Sequence, residues 1–161
     1  MRRPPILVLS RALFLASCSG DSADATMTLA PATPTTIAPV EVSGTTGEPV
    51  EVAGYDVFEN GTSSDDRLVG TYRLQVECDI KEDGERTIAD CSGPNTMTNS
   101  GGTWKGVCEG TSEWTTTDPD HLHVFDCTYV GSGDYAGLRF IQHLEGTGYP
   151  WSYAGRIESV G

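Results

Sequence analysis

Positive charge is what this chain of 161 residues has least of. It carries 10 Lys and Arg against 23 Asp and Glu, for a formal charge of −13. Nucleic-acid binding depends on neutralising phosphates with Lys and Arg, so that class of partner is excluded. Anionic lipid headgroups are repelled for the same reason, whereas cationic partners are favoured. No stretch reaches the ~20 consecutive apolar residues that a transmembrane helix requires. No cysteine pair has the C-x-x-C spacing of a redox or zinc motif, and there is no G-x-S-x-G nucleophile elbow. The glycine-rich run 131–137 leads into a strand rather than the helix that a phosphate cradle needs. After residue 50 no window shows the 3.6-residue period of an amphipathic helix.

At the N-terminus an apolar run follows a basic start. Arg2 and Arg3 precede Ile6 to Leu9 and Ala12 to Ala16, and small residues lead up to Cys18; this is the layout of a secretory leader. Arg11 interrupts the apolar stretch, at a cost of roughly 2.5–3.5 kcal/mol for a charge at the centre of an inserted segment. The closing run Leu15-Ala16-Ser17-Cys18 resembles the lipobox of bacterial lipoproteins. The resemblance implies that residues 1–17 are a signal peptide removed on export. It implies too that the Cys18 thiol is acylated, with palmitate or a similar chain. The mature protein would then be held by lipid to the cell membrane or outer envelope, facing outside the cytoplasm. One acyl chain binds only marginally, and stable anchoring takes a second. Loss of residues 1–17 removes three arginines and no acids, leaving 7 − 23 = −16.

Residues 18–50 follow as a lipidated cysteine and a linker rich in Thr, Ala, Pro, Ser and Gly. Pro31, Pro34, Pro39 and Pro49 interrupt any regular element. A flexible coil of this length spans roughly 30 Å, enough to lift a domain off a membrane.

Residues 51–161 have a different texture. Tyr72, Leu74, Val76, Cys78 and Ile80 alternate with Arg73, Gln75, Glu77 and Asp79, the period of a half-buried strand. Turns are expected over Lys81–Glu85, at Gly101-Gly102, over Thr115–Asp120, at 131–134 and over 146–150. Between them lie strands at Arg86–Cys91, Thr103–Trp114, His121–Val130, Ala136–Glu145 and Trp151–Ile157. Seven or eight short strands joined by hairpins predict an all-β fold, a single small antiparallel β-barrel whose closure removes exposed edges.

With Cys18 set aside, Cys78, Cys91, Cys108 and Cys127 allow three disulfide connectivities. A hairpin centred between Thr117 and Asp118 puts Cys108 opposite Cys127. A four-residue loop around Asp83-Gly84 puts Cys78 opposite Cys91. Two hairpin staples, Cys78–Cys91 and Cys108–Cys127, are therefore expected, each contributing about 3 kcal/mol in the chain-entropy model. The stretch Gly131-Ser132-Gly133-Asp134-Tyr135-Ala136-Gly137, with Gly102-Thr103-Trp104-Lys105-Gly106 before it, is similar to hairpin motifs of small barrels related to allene oxide cyclases and dirigent proteins. It is also similar to secreted bacterial proteins of like length. These are turn glycines and aromatics, so the likeness implies a barrel and carries no catalytic residue across.

Three groups of residues are candidates for chemistry. His121 and His123 lie two apart on a strand and share a face; with Asp118, Asp120 and Asp126 nearby they suggest a zinc or copper site. Against this, a polar strand end beside a turn needs no metal. Tyr149, Trp151 and Tyr153 share a face around Pro150 and suit a sugar or apolar ligand, or simply fill one end of the barrel. Glu109 and Glu113 also share a face, but such pairs are common in an acidic chain. Asp118-Pro119-Asp120 lacks the ligand spacing of a calcium loop.

The resulting expectation is a non-enzymatic envelope lipoprotein without a cofactor. Its barrel would bind a small apolar or glycan ligand or an envelope protein. The alternatives are a cyclase- or isomerase-type barrel enzyme acting on a hydrophobic substrate, and metal binding through His121 and His123.

Overall fold

Side chains alternate in and out along most strands after residue 70, so each turns one face to a shared core. The computed structural model describes residues 36–117 and 121–161. Among these, the strand segments are β1 (Val40–Thr45), β2 (Pro49–Val52), β3 (Tyr55–Phe58), β4 (Thr62–Ser63), β5 (Thr71–Leu74), β6 (Glu77–Asp83), β7 (Arg86–Asn99), β8 (Gly102–Thr115), β9 (Leu122–Gly133), β10 (Leu138–Thr147) and β11 (Ser152–Ser159). The only helical turn among them is 3-10, over Asp66–Leu68.

Several segments are halves of one bent strand. Gly44 pairs with Ser63 and Val50 with Val57, so β1–β4 and β2–β3 keep one register across a bend at 46–48 and 59–61. At that bend a Cβ on Gly47 would fall 1.6 Å from the Glu59 carbonyl oxygen, an approach only glycine permits. Likewise Leu74 pairs with Asn95 and Cys78 with Cys91, so β5 and β6 are one strand on β7. Eight continuous antiparallel strands result, each beside the next. The first returns onto the last where Val40 pairs with Ile157 and Thr45 with Ser152. The expected all-β antiparallel barrel is observed, closed through its bent first hairpin, with free edges only along short stretches.

Both expected disulfides, Cys78–Cys91 and Cys108–Cys127, are present. Cys108–Cys127 lies inside the barrel, whereas Cys78 is exposed on β6, all of whose residues face solvent. The interior is filled by Trp104, Tyr129, Phe140, Leu144 and Ile157, all but inaccessible to solvent. A polar knot sits among them: Asn95 donates to the Tyr72 and Tyr129 hydroxyls, and Tyr129 donates to Gln142 Oε1 at 3.0 Å. Buried polar groups persist when they partner one another in this way. One void of about 30 Å³ lies near Phe58, Tyr72, Met97 and Tyr153, room for little more than a water.

Three sequence expectations need correction. The linker assigned to 18–50 contains β1 and the start of β2, with Val42 buried in the core. Pro39 and Pro49 flank β1 rather than prevent it, because its backbone ladder is supplied by β11. The turn expected at 131–134 is instead the end of β9, where Gly131 pairs with Trp104. Glycine is required there because a Cβ would fall 2.3 Å from the Tyr135 carbonyl oxygen, and Tyr135 stacks on Trp104 with centroids 5.0 Å apart. The loop at Asp83-Gly84 is also tighter than expected, Gly84-Glu85 alone, in the register that aligns the cysteines. Cys18 and the remainder of the leader and linker up to residue 35 lie outside the described residues.

Candidate functional site

The register of one hairpin assembles the centre of the site. β8 and β9 pair Cys108 with Cys127 and, four residues nearer the turn, Ser112 with His123. Because side chains alternate, Ser112 and His123 face inward as the cysteines do. Their Oγ and Nδ1 atoms are 2.7 Å apart. His121 lies beyond His123, stacked on Trp114 with ring centroids 4.5 Å apart and planes within 7°. The start of β11 supplies the opposite wall. Trp151 reaches His123 at 4.5 Å, Phe125 at 5.9 Å and Phe58 at 5.6 Å. Tyr149 stacks on Trp151 at 4.9 Å and meets Phe58 at 5.9 Å. One end of the barrel is thus a mouth walled by aromatic and imidazole rings.

Exposure separates the three candidate aromatics. Trp151 is 2 % exposed and Tyr149 42 %, so Trp151 backs the wall and Tyr149 presents it to solvent. Tyr153 is buried deeper, against Phe140, and donates to the Thr62 carbonyl; it belongs to the core. His121 and His123 share the inner face, their centroids 5.7 Å apart. Among the described residues no group of three His, Cys, Asp or Glu is placed to hold a metal ion. Asp118 and Asp120 lie outside the described residues. Asp126 faces outward and hydrogen-bonds His143 at 2.8 Å. Glu109 and Glu113 also point outward, and Glu113 pairs with Arg86.

Burial disfavours positive charge at His123 and negative charge at Asp56. Burial, with the neighbouring His121, lowers the His123 pKa to about 4, so its ring is neutral at pH 7. Asp56 stands across the β2–β3 ladder from Glu51. Burial raises its pKa, and the Glu51 charge adds to the rise. Burial also raises the Tyr149 phenol, with the Asp56 charge adding to the rise.

Sequence reading singled out His121, His123, Tyr149 and Trp151 and missed Ser112, Trp114, Asp56 and Phe58. The hairpin centre that aligns Cys108 with Cys127 also aligns Ser112 with His123, so that pair was within reach of the same construction. Asp56 and Phe58 arrive by ring closure, for which no local pattern exists. The chain matches no family model, no curated protein and no solved structure, so the geometry alone carries the functional reading.

Proposed function

We propose that this chain is an exported, lipid-anchored binding module, tethered through Cys18, whose barrel meets a small ligand at its aromatic mouth without catalysing a reaction. The observation that carries the reading is the ring array: Trp114, His121, His123 and the exposed Tyr149 meet at one end of the barrel, backed by Trp151 and Phe58. Aromatic faces with a few hydrogen-bonding groups among them are what small-molecule sites are made of. The void near Phe58, Tyr72, Met97 and Tyr153, about 30 Å³, is too small for a ligand, which supports a contact at the ring array over one at that void. The same small void gives no support to a cyclase- or isomerase-type reaction on a hydrophobic substrate at that place.

Native mass spectrometry of the gently purified exported protein tests this reading. The expected result is an excess mass over the disulfide-bonded chain that disappears in Tyr149→Ala. A bare mass for the parent chain, or an adduct that survives Tyr149→Ala, would move the function to protein–protein contact elsewhere on the surface.

A further inference from the structure

We infer that the outer face of β8–β10 is a self-contact surface, on which a second copy of this chain packs face to face about a two-fold axis. This face lies on the outside of the barrel wall, and nothing in it depends on the ring array.

Strand register lays the outward side chains of that face in three rows. Trp104, Cys108, Cys127, Tyr129 and Phe140 take the inner side of the three strands, so the residues alternating with them point outward. Lys105, Val130 and Arg139 form one row. Val107, Thr128 and Ile141 form the next, and Glu109, Asp126 and His143 the third. The middle row is uncharged, and an open concavity runs along it, lined by all three of its residues. Val107 is 51 % and Val130 56 % exposed. Val130 stands diagonal to both Val107 and Ile141, within reach of each. Apolar residues grouped in this way, rather than scattered singly, mark contact surfaces.

Charge decides what covers the face. Its bases, Lys105 and Arg139, flank the apolar row on one side, and its acids, Glu109 and Asp126, flank it on the other. Extending the rows onto β11 adds Glu158 and Arg156, one of each sign, which pair together. The face is therefore formally neutral in a chain of 23 acids and 10 bases. Excess acid repels copies of the chain from one another, and that repulsion is least where the charges cancel. Arg139 and Asp126 already hold Glu158 and His143. Lys105 and Glu109, on either side of Val107 along β8, have no ion-pair partner among the described residues.

A two-fold axis relating two packed faces lies in the plane of their contact, because it must reverse the outward direction. Running parallel to the strands, it would set each row on its own copy, base against base and acid against acid. Running along the middle row, it sets Val107, Thr128 and Ile141 on their own copies. Lys105 then meets Glu109 of the second copy, twice by symmetry. That second axis alone is complementary. The three rows fall short of the roughly 20–30 residues a side of a stable interface, so the dimer is weak and forms as concentration rises.

Sedimentation velocity tests this on the full exported chain, carrying Cys18→Ala so that no lipid drives association. A concentration series up to about 1 mM is run at about 0.15 M salt, where long-range repulsion is screened. The sedimentation coefficient should rise with concentration from that of a monomer toward that of a dimer. Lys105→Glu and Glu109→Lys should each weaken the dimer roughly tenfold, because each turns two symmetric attractions into repulsions. The two substitutions combined restore the pairing with its polarity reversed, and the affinity should return to within about threefold of the parent. Glu109→Lys is the sharper arm, since it lowers the net negative charge and would strengthen any association governed by charge alone. All three variants alter exposed side chains, and thermal melting checks that each is folded. A parent chain that stays monomeric throughout overturns the inference. So does a Glu109→Lys variant that associates more tightly, or a double variant as weak as either single one.

Discussion

Ser112 and His123 show how much a single register pair decides. Their 2.7 Å contact leaves the imidazole half-buried among Trp151, Phe125 and Tyr149, where a charge is costly. The folded ring titrates at about 4 against an ordinary 6.5. Between those values the unfolded chain binds the extra proton, so the stability due to neutral His123 is complete above pH 6.5 and falls as pH drops toward 4. After discounting for partial exposure, the loss across that window is about 1–2 kcal/mol. Urea denaturation at several pH values should show this slope in the parent chain and a flatter one in His123→Gln; parallel slopes would refute the account. That His121 and His123 share a face was legible from their spacing of two. That Ser112 lies across from His123, and that Trp114 stacks on His121, depended on the pairing of two strands.

At the scale of elements, the two disulfides staple two different environments. Cys108 and Cys127 are 1 % and 2 % exposed inside the barrel, and Asn95 contacts the Cys108 sulfur. Cys78 sits on β6, whose outer edge has no neighbouring strand among the described residues and whose residues all face solvent. Thiol exchange needs access to sulfur, so a mild reductant under native conditions should open Cys78–Cys91 first. Alkylation and peptide mapping at partial reduction should label Cys78 and Cys91 before Cys108 and Cys127, and the reverse order would contradict the placement. Both pairings were readable because a hairpin halves the problem: one turn centre fixes every partner along two strands. β1 and β4 were not readable. Val40 to Thr45 lies between prolines and threonines, and it becomes a strand because β11 and β4 lend it ladder partners from distant parts of the chain.

For the whole molecule, the proposed anchor and the net charge act together. An acidic surface is repelled by anionic bilayers, so membrane retention should depend on the lipid at Cys18. Cys18→Ala should move the protein from the membrane fraction to the soluble exported fraction, with its disulfides and melting temperature unchanged. Retention of that variant in the membrane fraction would remove the tether from the reading. The closed barrel leaves the mouth as the end where ring side chains from β3, β8, β9 and the turn before β11 meet.

The sequence by itself determined the all-β class, most strand positions after residue 70, both disulfides and the acidity, because alternation, turn residues and hairpin register act over short spans of chain. Only the tertiary structure decided that β1 belongs to the barrel, that glycines 131 and 133 extend a strand instead of turning it, and that Phe58 joins Tyr149 and Trp151. The glycines extend β9 because β8 continues opposite them, and the other outcomes follow from ring closure, which brings β1 to β11 and Phe58 to Tyr149 from distant parts of the chain. No local pattern encodes which strand the first one will meet.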